Sequence, residues 1–326
     1  MKKTILKVTT SQNNLRIDQY LGEMFPEYSR NYFANLIKNN GILINEHPVK
    51  PSYKIKTNDE IAINFAESQS ELPPTAQEIE LDIIYEDNDA IVINKKPGMV
   101  VHPAAGNHEG TLVNALLFHF PKIKETVYDN ENIISKQRPG LVHRLDKDTS
   151  GVIIVAKNAR AMHSFSRQIQ KRTTQKIYLA LCFGWPKSDH DRLINHLGRN
   201  PHNRLMIAEI GKEHGKEAIS DYKVLQYLQD PSGRKYSLIE FDIKTGRTHQ
   251  IRAQAKILNC PVLGDLTYGS KESLKAGKDL GVPRQLLHAK SLKITLPGAE
   301  KPSIFQAEVP RDFINTLNLL TEIPSL

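Results

Sequence analysis

Apolar residues recur at helical spacing near the start of the chain, in a set that comprises Leu15, Ile17, Tyr20, Leu21 and Met24. Asn13 and Asn14 precede this set, and because asparagine is a common N-cap they predict where the helix begins. A second amphipathic helix is predicted from Ser29, as its N-cap, to Asn40, with Gly41 as its stop.

Two short apolar stretches follow the predicted helices. Strands are predicted over residues 42–45 and 61–65, and a turn is predicted at residues 46–48. Two helices followed by a hairpin enclose a marginal core, since a chain of about 55 residues buries little apolar surface. We therefore expect residues 1–66 to form an attached binding module and not a catalytic one.

A polar linker is predicted over residues 67–79, where the pair Pro73-Pro74 extends the chain. Residues 80–326 form the predicted catalytic domain, with strands over residues 81–85, 90–94, 152–156 and 177–183. Helices are predicted behind the N-caps Thr111 and Asn158. Because strands and helices mix without regular βαβ alternation, the pattern favours an α+β fold with a mixed, mainly antiparallel sheet and flanking helices, beside the small helix–helix–hairpin domain.

Composition narrows the class of protein. Of 326 residues, 39% are hydrophobic and 25% are charged, which is typical of a folded chain and not of a disordered one. Uninterrupted apolar runs such as Val152–Ala156 are far shorter than the ~20 residues that span a bilayer, and the first residues carry no secretory signal pattern. The two cysteines, Cys182 and Cys260, exclude a disulfide scaffold, so we expect a reducing cytoplasm.

The net charge of +8 is unevenly distributed along the chain. Residues 1–66 contain nine Lys/Arg and six Asp/Glu, whereas residues 67–90 contain eight acids and no base. Two basic parts therefore flank an acidic one. Clustered positive charge favours a polyanion such as nucleic acid as partner, because each phosphate contact releases counterions, although a merely basic soluble surface explains the charge equally well.

Several common catalytic motifs are missing. The chain contains no G-x-G-x-x-G, no P-loop, no H-E-x-x-H and no G-x-S-x-G, and its histidines and cysteines lack the usual zinc spacing. We therefore expect neither a cofactor nor a metal. An enzyme that works without either, or a binding protein, remains.

One charged segment lies between two apolar stretches, at residues 138–157 (RPGLVHRLDKDTSGVIIVAK). A polar loop held between two strands is a rigid support for a reactive group, and it is also what an ordinary hairpin turn looks like. Tyr178, at the head of a predicted strand, is read either as a core residue or as a residue whose hydroxyl has a specific partner.

A second polar segment, residues 245–252 (TGRTHQIR), leads into a predicted helix. Gly246 ends the preceding strand, and Thr248 is the expected N-cap. Arg252 then lies in the first helical turn, where the helix dipole favours anions and not cations. If it points inward it needs a carboxylate or a phosphate as partner; otherwise it is a surface arginine.

Together these segments resemble the RluA family of pseudouridine synthases, and within it the branch that modifies large-subunit ribosomal RNA. Residues 198–222, with GRNPHNR and GKEAISDY, look most like the D-type enzymes of that branch. The resemblance lies in HRLDKDTSG at residues 143–151, K-x-Y at 176–178 and TGRTHQIR at 245–252. Further matches in the family's order are NKKPGMVVHPAAG at 94–106, GTLVNALL at 110–117, PVLGDLTYG at 261–269 and LHAKSL at 287–292. The first 65 residues are similar to a small RNA-binding module first known from a ribosomal small-subunit protein.

The resemblance implies an isomerase that converts uridine to pseudouridine in large-subunit (23S-type) ribosomal RNA without a cofactor or a metal. It implies that Asp146 is the catalytic carboxylate, that Arg252 is its cationic partner, and that Tyr178 stacks on the uracil and takes the C5 proton. Arg144 would fill the stack vacated by the flipped base, and His143 and Ile251 would contact the substrate. The module would bind phosphates through Arg30, Lys38, Lys50 and Lys54.

Some points stay open in the sequence. Asp146 acts either by attack on C1′ of the ribose or by removing a proton from C2′ to give a glycal. Many family members have His where this chain has Gln254, which leaves the role of that position undecided. A non-catalytic RNA chaperone and a hydrolytic nucleosidase are the alternative functions. We expect a monomer that acts on ribosomal RNA or on an assembling large subunit, at one or more uridines that the sequence does not identify.

Overall fold

A computed structural model describes residues 3–25, 28, 30–65, 74–103, 107–126, 138–201, 203 and 206–324. Its contacts divide the chain into two units. The first comprises residues 1–75, 102–109 and 127–139, and the second comprises residues 76–101, 110–126 and 140–326.

Among its described residues, the first unit contains two α-helices, α1 (Ile17–Met24) and α2 (Arg30–Lys38). They accompany an antiparallel sheet with the strand order β1-β4-β2-β3, whose strands are β1 (Lys3–Lys7), β2 (Ile42–Ile44), β3 (His47–Pro48) and β4 (Glu60–Asn64). The pattern of residues did not predict β1, which becomes a strand by pairing with β4 across about 55 residues of chain. The core of the unit is formed by apolar side chains of both layers, among them Ile17, Leu21, Phe33, Ile37, Ile42, Ile61 and Ile63.

Three local predictions in this unit are wrong: the N-cap of α1, the position of the hairpin turn, and the left-handed residue that ends α2. Helix α1 is preceded by Arg16 and not by Asn13 or Asn14, and Arg16 makes no side-chain cap. The hairpin turn lies at Asn45-Glu46, both with positive φ, so that the predicted turn residues His47 and Pro48 form β3. The reason is that two left-handed residues match the twist of a two-residue hairpin.

Helix α2 ends in a Schellman motif whose left-handed residue is Asn40 (φ 56°) and not the predicted Gly41. The N–H of Gly41 donates to the carbonyl of Leu36, and the N–H of Asn40 donates to that of Ile37. Ser29, the predicted cap of this helix, lies outside the described residues.

The second unit is organised around one large sheet with the strand order β10-β9-β11-β12-β8-β13-β7-β6-β5, to which β14 and β15 add at β13 and β11. The pairs are antiparallel except β7 with β13, which confirms the α+β fold with a mixed, mainly antiparallel sheet. The strands are β5 (Ile83–Glu86), β6 (Ala90–Lys95), β7 (Ser150–Ala156), β8 (Gln175–Phe183), β9 (His190–Arg199), β10 (Ile207–Glu209), β11 (Lys216–Gln229), β12 (Lys235–Ile243), β13 (Leu287–Ile294), β14 (Ser303–Gln306) and β15 (Thr321–Ile323).

Helices α3 (Leu112–His119), α4 (Ala159–Gln170), α5 (Gln250–Ile257), α6 (Lys271–Asp279) and α7 (Arg311–Leu317) belong to this unit. The two predicted N-caps are confirmed. The hydroxyl of Thr111 accepts from the N–H of Asn114, and the amide oxygen of Asn158 accepts from the N–H of Ala161. None of the helices in the described ranges is long and apolar enough to cross a membrane.

The main core of the second unit lies beneath α3 and α5. It includes Leu112, Leu116, Ile153, Val155, Ile239, Phe241, Ile251 and Ala255. The segment before β7 was predicted to contain a short strand, but only Leu141 pairs with the sheet, in a single bridge to Val155. Residues 142–149 therefore form an irregular loop above this core, and Asp146 lies in it.

Candidate active site

The loop that carries Asp146 is anchored by side chains from distant parts of the chain. The Lys95 ammonium donates to the carbonyl of Lys147 at 2.9 Å, and Arg284 Nη1 donates to the carbonyl of Asp148 at 2.9 Å. The loop closes on itself through the N–H of Thr149, which donates to the carbonyl of Asp146. These bonds hold the backbone around Asp146, so the carboxylate starts from a fixed position.

Arg252 lies in the first turn of α5, as predicted, and its side chain is 7% exposed. The predicted N-cap is wrong, because His249 and not Thr248 is the N-cap. His249 adopts the left-handed conformation (φ 53°), which is uncommon for a residue other than glycine and clusters at functional sites.

Arg252 bridges two carboxylates. Its Nη1 donates to Asp146 Oδ2 at 3.1 Å, while Nε and Nη2 donate to Asp265 Oδ2 and Oδ1 at 2.6 and 2.9 Å. Burial by itself would lower the pKa of Arg252, but the bonds to Asp265 and Asp146 outweigh burial and raise it. A permanently charged guanidinium therefore faces Asp146.

Asp265 was not among the predicted site residues. It is fully buried, and its Oδ1 also accepts the N–H groups of Thr267 and Tyr268, at 2.9 and 3.0 Å. Gly264, just before it, has φ +77° and approaches the carbonyl of Arg284 so closely that a Cβ would lie 2.1 Å from that oxygen. The signal in the sequence was the GDLTYG segment, in which an aspartate follows a glycine and precedes a turn.

The Asp146 carboxylate, 19% exposed, lines a cleft. Tyr178 of β8 and Ile251 of α5 contribute apolar surface to this cleft, and Arg144 lies exposed in its lining. Burial and then the charge of Asp146 raise the pKa of Tyr178, so its phenol stays protonated. The cleft thus offers one carboxylate, one guanidinium and apolar surface, a combination suited to a flat, uncharged heterocycle.

His249 is a second residue that the sequence analysis did not single out. Its Nε2 lies 3.9 Å from Asp146 Oδ2, and its Nδ1 lies 2.9 Å from the hydroxyl of Tyr268. Burial is the main cause that lowers the pKa of His249, which keeps the imidazole neutral near neutral pH. The Arg252 guanidinium also lies over the ring of Tyr268, with its Cζ 4.9 Å from the ring centroid.

The structure brings together Asp146, Tyr178, Arg252, Arg144 and Ile251 around one cleft, but it does not bring His143 into that lining. His143 lines a neighbouring cleft, and its Nε2 accepts the N–H of Ile154 on β7 at 3.1 Å. Burial, with a smaller contribution from Lys176, lowers the pKa of His143 to about 3. A neutral imidazole bonded to β7 ties the loop to the sheet.

Gln254 faces away from the cleft. Its Nε2 donates to Asn195 Oδ1 and to the carbonyl of Ala218, and its Oε1 accepts from Ser220 Oγ at 2.7 Å. All three partners lie on β9 and β11, so this side chain joins α5 to the sheet.

The four cations predicted for the module lie in the first unit. Arg30 Nε donates to the buried Asp18 carboxylate at 3.0 Å, whereas Lys38, Lys50 and Lys54 are exposed. The bonds from Arg16 and Arg30 outweigh burial and lower the pKa of Asp18, so this pair is ionised. Within the described residues, no group of three or more His, Cys, Asp or Glu side chains is placed to hold a metal ion.

Comparisons with known proteins show the family to which the chain is similar. A family model described as RNA pseudouridylate synthase matches residues 89–256, and one described as S4 domain matches residues 15–61. The ribosomal large subunit pseudouridine synthase D of Neisseria meningitidis is 39% identical over 312 residues, which are 94% of this chain and 78% of that protein. An uncharacterized RNA pseudouridine synthase of Chlorobaculum parvum is 39% identical over 320 residues, 94% of each chain.

A solved structure of Human RNA Pseudouridylate Synthase Domain Containing 1 is similar with a TM-score of 0.58 and 27% identity, over 77% of this chain and 92% of that one. The family model covers more than half of the chain, and the curated relatives align over nearly all of it. This chain belongs to the RNA pseudouridylate synthase family and is an enzyme of that family with an S4 domain before its catalytic part.

Proposed function

We propose that this enzyme isomerises uridine to pseudouridine in large-subunit ribosomal RNA, with Asp146 as the catalytic carboxylate. The observation that carries the proposal is the pair of Asp146 and Arg252, 3.1 Å apart at the cleft. The substrate follows from the relative in Neisseria meningitidis, which is named a ribosomal large subunit pseudouridine synthase.

The reaction exchanges one bond for another. The N1–C1′ bond of uridine breaks, the uracil turns, and C5 forms a bond to C1′. C5 then loses its proton and N1 gains one, so substrate and product have the same atoms and the reaction needs no redox partner. The RNA strand stays intact throughout, because the ribose keeps both of its phosphates.

The two oxygens of Asp146 have different roles in this proposal. Oδ2 accepts from Arg252, whereas Oδ1 receives no hydrogen bond from the described residues. We assign Oδ1 to the ribose, as a nucleophile toward C1′ or as a base toward the proton on C2′. Both routes use the oxygen that Arg252 leaves unbonded, in a cleft that substrate closes to water.

The other residues of the cleft bind the detached base. Tyr178 stacks on one face of the uracil and Ile251 packs on the other, which keeps the base near C1′ while it turns. Removal of the C5 proton by Tyr178 would require the phenolate, and the raised pKa of this phenol argues against it, so stacking is the role we assign. Arg144 fills the gap left in the RNA, where extruding a base costs a few kcal/mol.

The S4 domain lies within residues 1–66, the predicted binding module. It orients the RNA through phosphate contacts of Lys38, Lys50 and Lys54. Arg30 holds Asp18 and acts there as a structural residue. The enzyme acts as a monomer on ribosomal RNA or on an assembling large subunit. We place it in the cytoplasm, where its free, buried cysteines, Cys182 and Cys260, stay reduced.

The proposal is tested with RNA that carries tritium at C5 of uridine. Isomerisation releases the label to water, hydrolysis of the glycosidic bond releases labelled uracil, and an RNA chaperone releases neither. Asp146→Asn keeps the shape of the side chain and should reduce release to background while RNA still binds. Asp189→Asn is the matched control, since that carboxylate is exposed. Full activity of Asp146→Asn would refute the assignment.

The target is found by mapping pseudouridines in ribosomal RNA of a strain that lacks the gene. One or more positions in the large-subunit RNA should lose the modification, and the wild-type gene should restore it. The Asp146→Asn gene should not. Unchanged large-subunit RNA together with a missing pseudouridine in another RNA would overturn the proposed substrate but not the chemistry.

A further inference from the structure

A second cleft adjoins the one that contains Asp146. The two share Arg144, Tyr178, Ile243, Gly246 and Arg247 in their linings. We call this second cleft the Lys176 cleft. No acidic residue is among the described residues that line it, and its charged and polar lining includes His143, Arg144, Arg172, Lys176, Lys244 and Arg247. A cleft lined by cations next to a nucleotide pocket attracts anions.

Lys176 of β8 is exceptional among these cations. Its side chain is nearly buried, with the residue 8% exposed, yet it has neither a hydrogen bond nor a carboxylate within 4.0 Å in the described part of the chain. Burial lowers the pKa of its ammonium, with Asp242 acting in the opposite direction. A buried cation without a partner is costly, which indicates a partner that the chain itself does not supply.

Three other cations of the cleft already have partners. Lys244 lies 2.7 Å from Asp242 Oδ2, Arg172 lies 3.0 Å from Glu217, and Arg247 Nε donates to the Glu217 carbonyl. Asp242 Oδ2 also accepts from Gln175, whereas the buried Oδ1 of Asp242 has no hydrogen-bond partner in the described ranges and is not within 4.0 Å of the Lys176 ammonium. Among the described residues, Arg144 and Arg247 share with Lys176 the lack of a carboxylate partner, and both line the two clefts.

We propose that Lys176 binds a phosphate of the RNA strand directly beside the uridine that enters the active-site cleft. This inference rests on the proposed function, because RNA is what brings the phosphate there. A phosphodiester supplies the missing acceptor for the ammonium, and the shared wall of the two clefts lets one nucleotide occupy both. Lys176 is thus a substrate-binding residue that fixes the strand while the base turns.

The test compares full-length Lys176→Met with wild type, and uses Lys275→Met, an exposed lysine of α6, as the matched control. The ligand is the large-subunit RNA fragment that contains the mapped uridine. Loss of one charged hydrogen bond should raise Kd about tenfold, and loss of one phosphate contact should reduce the slope of log K against log salt by about 0.7. Lys176→Arg should restore most of the binding, and the control should match wild type.

Thermal unfolding separates a binding role from a structural one. Because Lys176 has no internal partner, Lys176→Met should keep or raise the Tm. If Lys176→Met bound RNA with the same affinity and salt slope as wild type, the inference would be overturned. A lowered Tm with unchanged RNA binding would also overturn it, because it would indicate that Lys176 pairs with Asp242 inside the protein. The proposed function fails separately, if wild type releases no tritium from this RNA.

Discussion

Asp265 holds the guanidinium of Arg252 by two parallel hydrogen bonds, of 2.6 and 2.9 Å, and thereby leaves Nη1 of Arg252 for Asp146. A bidentate pair fixes the plane of the guanidinium as well as its position. The catalytic carboxylate that we propose is therefore positioned by a second carboxylate, which is fully buried and never meets the substrate.

Asp265→Asn should damage both stability and catalysis. The asparagine has the same shape but leaves the buried guanidinium with one anion only, so the free energy of unfolding should fall by about 3 kcal/mol. Tritium release should slow at least about tenfold, because Nη1 no longer has a fixed direction toward Asp146. Urea unfolding and single-turnover rates measure the two effects.

The matched control for this prediction is Asp279→Asn. Asp279 also binds an arginine, Arg234, but at the surface, and Arg234 retains Asp230 as its partner. Neither stability nor rate should change measurably. If Asp265→Asn behaved like this control, Asp265 would have no part in positioning Arg252.

Lys95→Met should loosen the catalytic loop. The fully buried Lys95 ammonium donates to the carbonyls of Lys96, Met99 and Lys147, each at 2.9 Å, and methionine would leave these acceptors unsatisfied. We expect a loss of about 3 kcal/mol in unfolding free energy and a lower rate with unchanged RNA affinity. Lys96→Met, which removes the exposed neighbour paired with Glu80, should leave both values as they are.

Gln254→Ala should affect stability and spare catalysis. The substitution removes three buried hydrogen bonds that join α5 to β9 and β11, at an expected cost of about 3 kcal/mol. The rate per folded molecule should stay within about twofold, because Gln254 does not line the cleft. Gln226→Ala, on the surface of β11, is the control. A strong loss of rate at full folding would place Gln254 in the reaction.

Acid should destabilise the enzyme through buried histidines. Burial lowers the pKa of His288 from 6.5 to about 4, and this neutral ring lies between Ser150 Oγ and the Ala307 carbonyl. Between those pH values the unfolded chain binds more protons than the folded one, so stability falls as the pH falls from 6.5 to 4. The contribution of His288 to this fall is about 3 kcal/mol.

His288→Gln removes that contribution, so its unfolding free energy should depend less on pH than that of wild type. Urea unfolding at several pH values from 7 to 4 measures the two slopes. Parallel curves for the variant and the wild type would contradict the prediction. His143, whose pKa is also lowered, acts in the same direction in both proteins.

The S4 domain gives a prediction about salt. Replacing Lys38, Lys50 and Lys54 together by glutamine should reduce the slope of log K against log salt by about 2, since each lost phosphate contact contributes about 0.7 to 0.9. The rate at saturating RNA should not change. Triple replacement at Lys271, Lys275 and Lys278 on α6 serves as control, and an unchanged slope in the first variant would remove these lysines from the RNA contact.

Elements with a strong local signal agree with the prediction. Thr111 and Asn158 begin their helices because each side chain satisfies a backbone N–H of its own first turn, which depends only on neighbouring residues. Strand β7 is buried along its whole length, as its unbroken apolar run indicates. Errors occur where the sign of φ at one residue decides the backbone conformation, as at Asn40 and Asn45, because asparagine can adopt either sign.

The chain's own residues determined the fold class and named Asp146, Tyr178 and Arg252 as candidates, since motif order and hydrophobic period are properties of consecutive residues. Only the tertiary structure decided which other residues hold these side chains and the loop around Asp146 in place. Asp265 lies 13 residues from Arg252, and Lys95 lies 52 residues from the Lys147 carbonyl that it binds. Such partners are chosen by burial, because a charged group removed from water takes whichever opposite charge or acceptor the packing brings within reach.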